Sequence, residues 1–298
     1  MSDYKVAVLG LGAMGLPMAT RLATRLTVHG FDIAQPRLEL ATEAGILPFA
    51  SAIETVAGVD AVLLAVRDAA QLDDVLFGAT GIASSLTPGA VVILTSTVGM
   101  DGITSVVERL AAVGVELVDA PLSGGPVRAG AGDLLIVVGA SPAAREKATP
   151  VLDLLASTLT VVGDKAGDGQ ALKTVNQLLC GIHIAAAAEA LALASALGLD
   201  PKSTLDALMS GAAASFMLGN RGTRMLEAYD EDGAEVLSRL DIFVKDMGIV
   251  GKASRAAGLA TPVAAAAEQL YLIGKAQGLS ALDDSAVITV IAPAPFTD

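Results

Sequence analysis

KVAVLGLGAMG, residues 5–15, is an apolar, β-branched stretch that runs straight into three glycines, and LPMATRLAT, residues 16–24, continues it with helix-compatible spacing. Strand, glycine loop and helix in immediate succession are what the dinucleotide fingerprint requires. Gly10 permits the tight turn, Gly12 lets a pyrophosphate approach the backbone, and Gly15 lets helix and strand pack closely. The loop Gly10, Leu11, Gly12, Ala13, Met14 and Gly15 is therefore the candidate phosphate cradle, with the positive end of the following helix facing it. A glycine turn can also arise by chance. Here a second strand, LTVHGFD, ends at Asp32, about twenty residues further on, where the fingerprint places its acidic residue.

Asp32 also bears on which dinucleotide is taken. Its carboxylate can accept hydrogen bonds from ribose hydroxyls, but it would face a 2′-phosphate at close range. Two unit charges about 4 Å apart near a surface repel by roughly 4 kcal/mol at an effective dielectric of 20. Ile33 and Ala34 follow it, with the nearest arginine only at Arg37. The expected cofactor is NAD rather than NADP.

Outward from this loop, short β-branched runs alternate with helix-like stretches up to about Gly163: VAVLG, LTVHGFD, AVLLAV, VVILTS, VELVDA, LLIVVG and LTVVG. This alternation predicts a parallel sheet with crossover helices. After Asp164 the strand pattern stops. Alanine-rich segments with helical spacing continue to about Gly278, broken at Gly198 to Pro201, Ser210 to Ala213 and Gly258 to Pro262. The expected architecture is an α/β doubly wound Rossmann domain over residues 1–163, followed by an all-α domain over residues 164–298. The helix carrying Lys173 is expected to start just past the sheet domain, as hinge and one wall of a cleft.

Composition narrows the function. Nineteen basic against thirty-two acidic residues give a formal charge of −13, which repels nucleic acid and anionic membrane surfaces. Cys180 is the one cysteine and His29 and His183 the only histidines, so no intrachain disulfide forms and neither cysteine-rich nor ordinary zinc chemistry is expected. The strand pattern begins at Tyr4, which leaves no room for a cleavable leader, and the expected location is cytoplasmic. Gly181 to Leu199 is apolar enough to suggest a membrane span, but it is mostly alanine and carries His183, Glu189 and Ser195. It reads as a buried helix.

Five blocks occur together in this chain: GLGAMGLPMA at the start, TST at Thr95 to Thr97, DAPLSGG at Asp119 to Gly125, GDGQALKTVNQ at Gly167 to Gln177, and DIFVKDMGIV at Asp241 to Val250. Together they resemble the β-hydroxyacid dehydrogenases, the group of 3-hydroxyisobutyrate dehydrogenase and tartronate semialdehyde reductase, over nearly the whole chain. Within it, NQLLCGIHIAAAAEALALA (Asn176 to Ala194), SGGPVRAGAG and VRDAAQLDDVLFG look most similar to the L-threonate dehydrogenase branch. The resemblance implies a 6-phosphogluconate dehydrogenase-like fold and a homo-dimer or homo-tetramer. In that branch the reaction is oxidation of a four-carbon sugar acid, at the carbon next to the carboxylate, to a 2-oxo acid.

It also implies residue roles. Oxidising a secondary alcohol needs a base within hydrogen-bonding reach of the hydroxyl. Lys173, inside the GxGxxxKxxN pattern, matches the family's catalytic acid/base; outside that pattern it would read as an ordinary solvated helix lysine. On a helix Lys173 shares a face with Gln177, Cys180 and Ile184, and Asn176 lies beside it. Asn176 or Gln177 would orient the ammonium or hold substrate. The family usually carries two adjacent asparagines, so Gln177 leaves open which amide touches substrate. Ser123, Gly124 and Gly125 match the substrate-binding loop. Thr97 matches a contact beside the nicotinamide ribose, and Lys245 matches a lysine that approaches the cofactor from the helical half. Val66 sits in the adenosine-side loop, which departs from the family's Met-Leu-Pro type. Asp246 is expected to support Lys245 as an ion pair, although neighbouring helix positions point apart. Arg128 is either a substrate contact or a surface residue, and His183 either a site residue or a satisfied interface histidine. Alternatives with the same architecture are 3-hydroxyisobutyrate dehydrogenase, 2-hydroxy-3-oxopropionate (tartronate semialdehyde) reductase and, of another class, a non-catalytic NAD-binding regulator. Imine reductases usually lack lysine at this position, which argues against them.

Overall fold

The computed structural model describes residues 4–293. The chain divides between Lys173 and Thr174 into two compact units.

The first unit is built on one sheet. Its strands are β1 (Lys5–Leu9), β2 (Thr27–Phe31), β3 (Leu47–Pro48), β4 (Ala61–Leu64), β5 (Val91–Leu94), β6 (Glu116–Asp119), β7 (Leu122–Ser123), β8 (Leu134–Gly139) and β9 (Ala156–Gly163). The spatial order is β3-β2-β1-β4-β5-β6-β8-β7, with β9 on β8. The first six strands thus have the 3-2-1-4-5-6 order of the doubly wound nucleotide-binding fold. Helices α1 (Gly15–Ala23), α2 (Gln35–Glu43), α3 (Ala52–Thr55), α4 (Ala69–Phe77), α5 (Ile103–Ala111), α6 (Gly125–Ala131) and α7 (Pro142–Leu155) make the connections. Strand alternation explains the layers. Val6 and Val8 enter one apolar cluster with Met18 and Leu22 of α1 and Val151 of α7, while Ala7 and Leu9 enter a second with Leu72 of α4 and Val106 of α5. A sheet buried on both faces needs strands that are apolar throughout, as these are.

One expectation is corrected. The sheet is not wholly parallel, because β8 runs antiparallel to β6 and β7. The link from β6 to β8 is taken up by the two-residue β7 and the seven-residue α6, a helix about 10 Å long that falls short of the roughly 20 Å of the six-residue β8. The fourteen-residue α7, about 21 Å long, spans that distance, and β9 lies parallel to β8.

Within the second unit the helices break at the three expected places and at a fourth, residues 228–239, that was not expected. α8 (Asp168–Ala196) enters from the first unit and is followed by α9 (Pro201–Met209), α10 (Phe216–Glu227), α11 (Leu240–Ala256), α12 (Pro262–Ala276) and α13 (Ile288–Ile291). Tyr271 anchors the core: its ring stacks on Phe243 at 5.4 Å, and its hydroxyl donates to the Gly181 carbonyl across 2.8 Å. Among the described residues α8 is the one helix long and apolar enough to cross a membrane by length and hydropathy. It is half-buried rather than buried. Ile184, Ala188 and Leu191 pack into the core, whereas Leu179 and Leu193 lie exposed.

Candidate active site

The glycine loop is shaped by close approach. A Cβ on Gly10 would lie 2.4 Å from the Ala65 carbonyl oxygen and one on Gly15 only 1.8 Å from the Gly10 oxygen, so both positions are closed to side chains. Gly12 is different, because a Cβ there meets nothing within 4 Å. Its glycine is not explained by packing inside the protein. It leaves room for a ligand against the backbone, and among the described residues no side chain caps the following helix α1 or puts a carboxylate in its first turn. Both features fit a pyrophosphate. Leu11 is fully buried, Ala13 exposed and Met14 packed on the first core cluster.

Asp32 ends up against this loop. Its carboxylate accepts from the Leu11 amide at 2.6 Å and the Ala34 amide at 2.9 Å. A carboxylate has about four lone-pair sites, so two further acceptor positions remain for ribose hydroxyls. Val66, past the end of β4, packs half-buried on the second core cluster.

Lys173 is buried, and its Nζ donates to the Ser123 hydroxyl across 3.1 Å. Ser123 is fixed by β7, whose pairing with β8 sets it opposite Leu135. Gly124 (φ 146°) and Gly125 (φ 76°) turn the chain from that strand into α6 in a backbone region that favours glycine. The first turn of α8 is fastened by its own close contacts. A Cβ on Gly169 would come within 2.9 Å of Asp119, so only glycine lets the helix settle this near β6.

Within the second unit a further chain of polar groups forms. The Gln177 amide donates to the Asp246 carboxylate, Asp246 pairs with Lys245 at 2.8 Å, and the Asn176 amide donates to Gln177 at 2.9 Å and toward the Cys180 sulfur at 3.4 Å. Asp246 therefore does support Lys245 as an ion pair, although adjacent helix positions point apart. Gln177 is committed to Asp246, a partner that a shorter asparagine would reach less readily. Arg128 pairs with Asp133 at 2.9 Å in the turn ending α6, and His29 is a structural residue whose Nδ1 meets the Thr55 carbonyl at 2.9 Å. His183 is half-buried on α8.

Two residues escaped the sequence reading. Asp119 and Gln170 are both fully buried. Burial pushes the Asp119 carboxyl above its ordinary range, and hydrogen bonds from the Gln170 side chain and the Gln170, Gly167 and Gly169 amides pull only partly the other way. Both lie inside quoted motif blocks. A carboxylate ending a strand and a glutamine three residues before the lysine were the available signals.

Residues 5–163 match the profile of the NAD binding domain of 6-phosphogluconate dehydrogenase. Residues 167–291 match that of NADP-dependent 3-hydroxyisobutyrate dehydrogenase. The chain belongs to the β-hydroxyacid dehydrogenase family. Among family members, it is 38% identical to L-threonate dehydrogenase of Pectobacterium atrosepticum, covering 97% of this chain and 94% of that one. Identity to the L-threonate dehydrogenase of Cupriavidus necator is also 38%, over 96% of this chain and 95% of the other. The crystal structure of 3-hydroxyisobutyrate dehydrogenase from Salmonella typhimurium superposes with a TM-score of 0.88 at 35% identity, covering 97% of this chain and all of that one. As a β-hydroxyacid dehydrogenase, the chain is an oxidoreductase with the family's NAD-binding Rossmann domain, and its relatives act on small hydroxy acids.

Proposed function

We propose that this enzyme oxidises a four-carbon sugar acid such as L-threonate to its 2-oxo acid, with NAD as acceptor and Lys173 as general acid/base. The observation that carries the proposal is the buried Lys173 Nζ on the Ser123 hydroxyl, in the same compact unit as the glycine loop.

NAD, when bound, supplies the acceptor for the hydride leaving the alcohol carbon. Gly10 to Gly15 would hold its pyrophosphate, Asp32 its adenosine ribose and Thr97 its nicotinamide ribose, with Val66 beside the adenosine and Lys245 reaching it from the helical half. Asp32 favours NAD over NADP for the charge reason given above. Lys173 takes the hydroxyl proton at Nζ, and so must enter the reaction neutral. Ser123 with Gly124 and Gly125 binds the acid. Of the two amides, Asn176 is the one we assign to substrate, since Gln177 is held by Asp246. The cofactor role belongs to residues 1–163, which also supply Ser123 to Gly125, and the remaining substrate contacts and the assembly role belong to residues 164–298. Exposed Leu193, Leu197 and Leu199 support a homo-dimer or homo-tetramer. Sedimentation as a monomer at micromolar concentration would remove that part. The surplus of negative charge supports a cytoplasmic enzyme that binds neither nucleic acid nor membrane.

The test is NADH formation at 340 nm with L-threonate, D-threonate, erythronate, 3-hydroxyisobutyrate and glycerate. L-threonate as leading substrate supports the proposal. A lead for 3-hydroxyisobutyrate or glycerate moves the chain to a sister activity, and NAD binding without turnover on any acid points to a regulator.

A further inference from the structure

The side-chain amide of Gln170 makes four hydrogen bonds, the full number an amide sustains. Its Oε1 accepts from the Val98 amide at 2.9 Å and the Gly99 amide at 3.1 Å, and its Nε2 donates to the Ser96 carbonyl at 3.0 Å and to Asp119 Oδ1 at 2.8 Å. Ser96 and Val98 are the two neighbours of Thr97, so one side chain grips the backbone on both sides of that residue. The other oxygen of Asp119 accepts from the Gly167 and Gln170 amides at 2.9 and 2.8 Å. These amides open α8, where backbone donors have no partner inside the helix. Lys173 follows one turn later on the same face as Gln170.

We infer that Gln170 is a positioning residue: with Asp119 it sets the distance between the Thr97 loop and Lys173, and so between cofactor and base. All of these groups belong to the first unit. The assignment rests on the proposed dehydrogenase reading of Lys173 and Thr97. Neither Gln170 nor Asp119 is given a part in the chemistry. A misplacement of about 1 Å between reacting groups can lower rate by about a hundredfold, which is the scale at stake.

The test uses the full-length protein with Gln170→Glu, Asp119→Asn and the double variant that exchanges amide and carboxylate across their shared hydrogen bond. Three quantities are read: melting temperature, the NADH dissociation constant from nicotinamide fluorescence, and kcat and KM on the best acid of the panel. Gln170→Glu sets two carboxyls against each other and loses the donor to Ser96. It is expected to lower kcat by about thirtyfold with little change in the acid's KM, and to weaken NADH by about fivefold. The double variant again provides one donor between positions 119 and 170, though none to Ser96, and is expected to recover part of both losses. If Gln170 merely holds the fold, melting temperature falls while kcat and NADH affinity stay within twofold of the parent, and the inference is overturned. Losses that the exchange does not relieve overturn it as well. Where Gln170→Glu does not fold, Asp119→Asn and the double variant give the same comparison. If the parent turns over no acid, the dehydrogenase reading fails on its own, and NADH affinity decides whether Gln170 positions the Thr97 loop.

Discussion

Lys173 Nζ lies 3.1 Å from the Ser123 hydroxyl, joining the first turns of α8 to the end of a two-residue strand. The two residues are fifty positions apart, and neither helix nor strand would place them together without the glycines that let α8 settle on β6. Removing either partner tests different things. Lys173→Ala should lower kcat by at least about a hundredfold, the scale of a lost general base. Ser123→Ala removes the hydroxyl that faces Lys173 and its proposed hydrogen bond to the charged acid, worth about 1.5–3 kcal/mol, and should lower kcat/KM by about ten- to a hundredfold. Steady-state rates at 340 nm check both, and equal effects would mean that serine is more than an orienting partner.

The glycines of the cofactor loop should separate cleanly. Gly12→Ala meets no protein atom, so its melting temperature should stay within about 2 °C of the parent while the KM for NAD rises by about tenfold or more. Gly15→Ala collides with the Gly10 carbonyl and should lose about 1–3 kcal/mol of stability. Thermal melts beside NAD titrations distinguish a position kept open for a ligand from one closed by packing.

Asp32→Ser is expected to reduce the preference for NAD over NADP by about tenfold or more, because it removes a negative charge that repels a 2′-phosphate. The ratio of the two kcat/KM values on one acid is the measurement. A ratio that does not move would assign Asp32 to holding the Leu11 amide alone.

The tandem Asp283–Asp284 gives a pH-dependent test. Burial by itself raises the Asp283 carboxyl, but hydrogen bonds from Ser285, Arg224 and the Ser238 and Ser285 amides outweigh it and hold it below the ordinary carboxylate range. A depressed pKa contributes stability that is present above the unfolded value of about 3.9 and lost as pH falls through the folded one. Burial raises Asp284 in spite of its two bonds to Arg221, which gives the opposite dependence. Asp283→Asn should therefore lower the melting temperature most at neutral pH, with the gap to the parent shrinking below about pH 4. A constant gap from pH 3 to 7 would assign the loss to packing.

The Rossmann half was legible because its signals are local: glycines at fixed offsets, strands apolar on both faces, and an acidic residue where the second strand ends. The reversed β8 was not, since a strand's direction depends on connection length and the edge it reaches, and LLIVVG reads the same either way. Lys173, Ser123 and Thr97 were visible only through their motif blocks. That Gln177 is bound to Asp246, sixty-nine residues away, and Gln170 to the Thr97 loop, depends on tertiary packing that no periodicity carries.

The saturated amide of Gln170 also bears on motion. With Ser96, Val98 and Gly99 all bonded to one buried side chain, the stretch around Thr97 is ordered before any ligand arrives. The conformational entropy that a free loop surrenders on binding has there been given up during folding. Cofactor affinity is correspondingly less opposed by ordering, and the backbone amides of Val98 and Gly99 should exchange with solvent deuterium at rates close to those of the central strands.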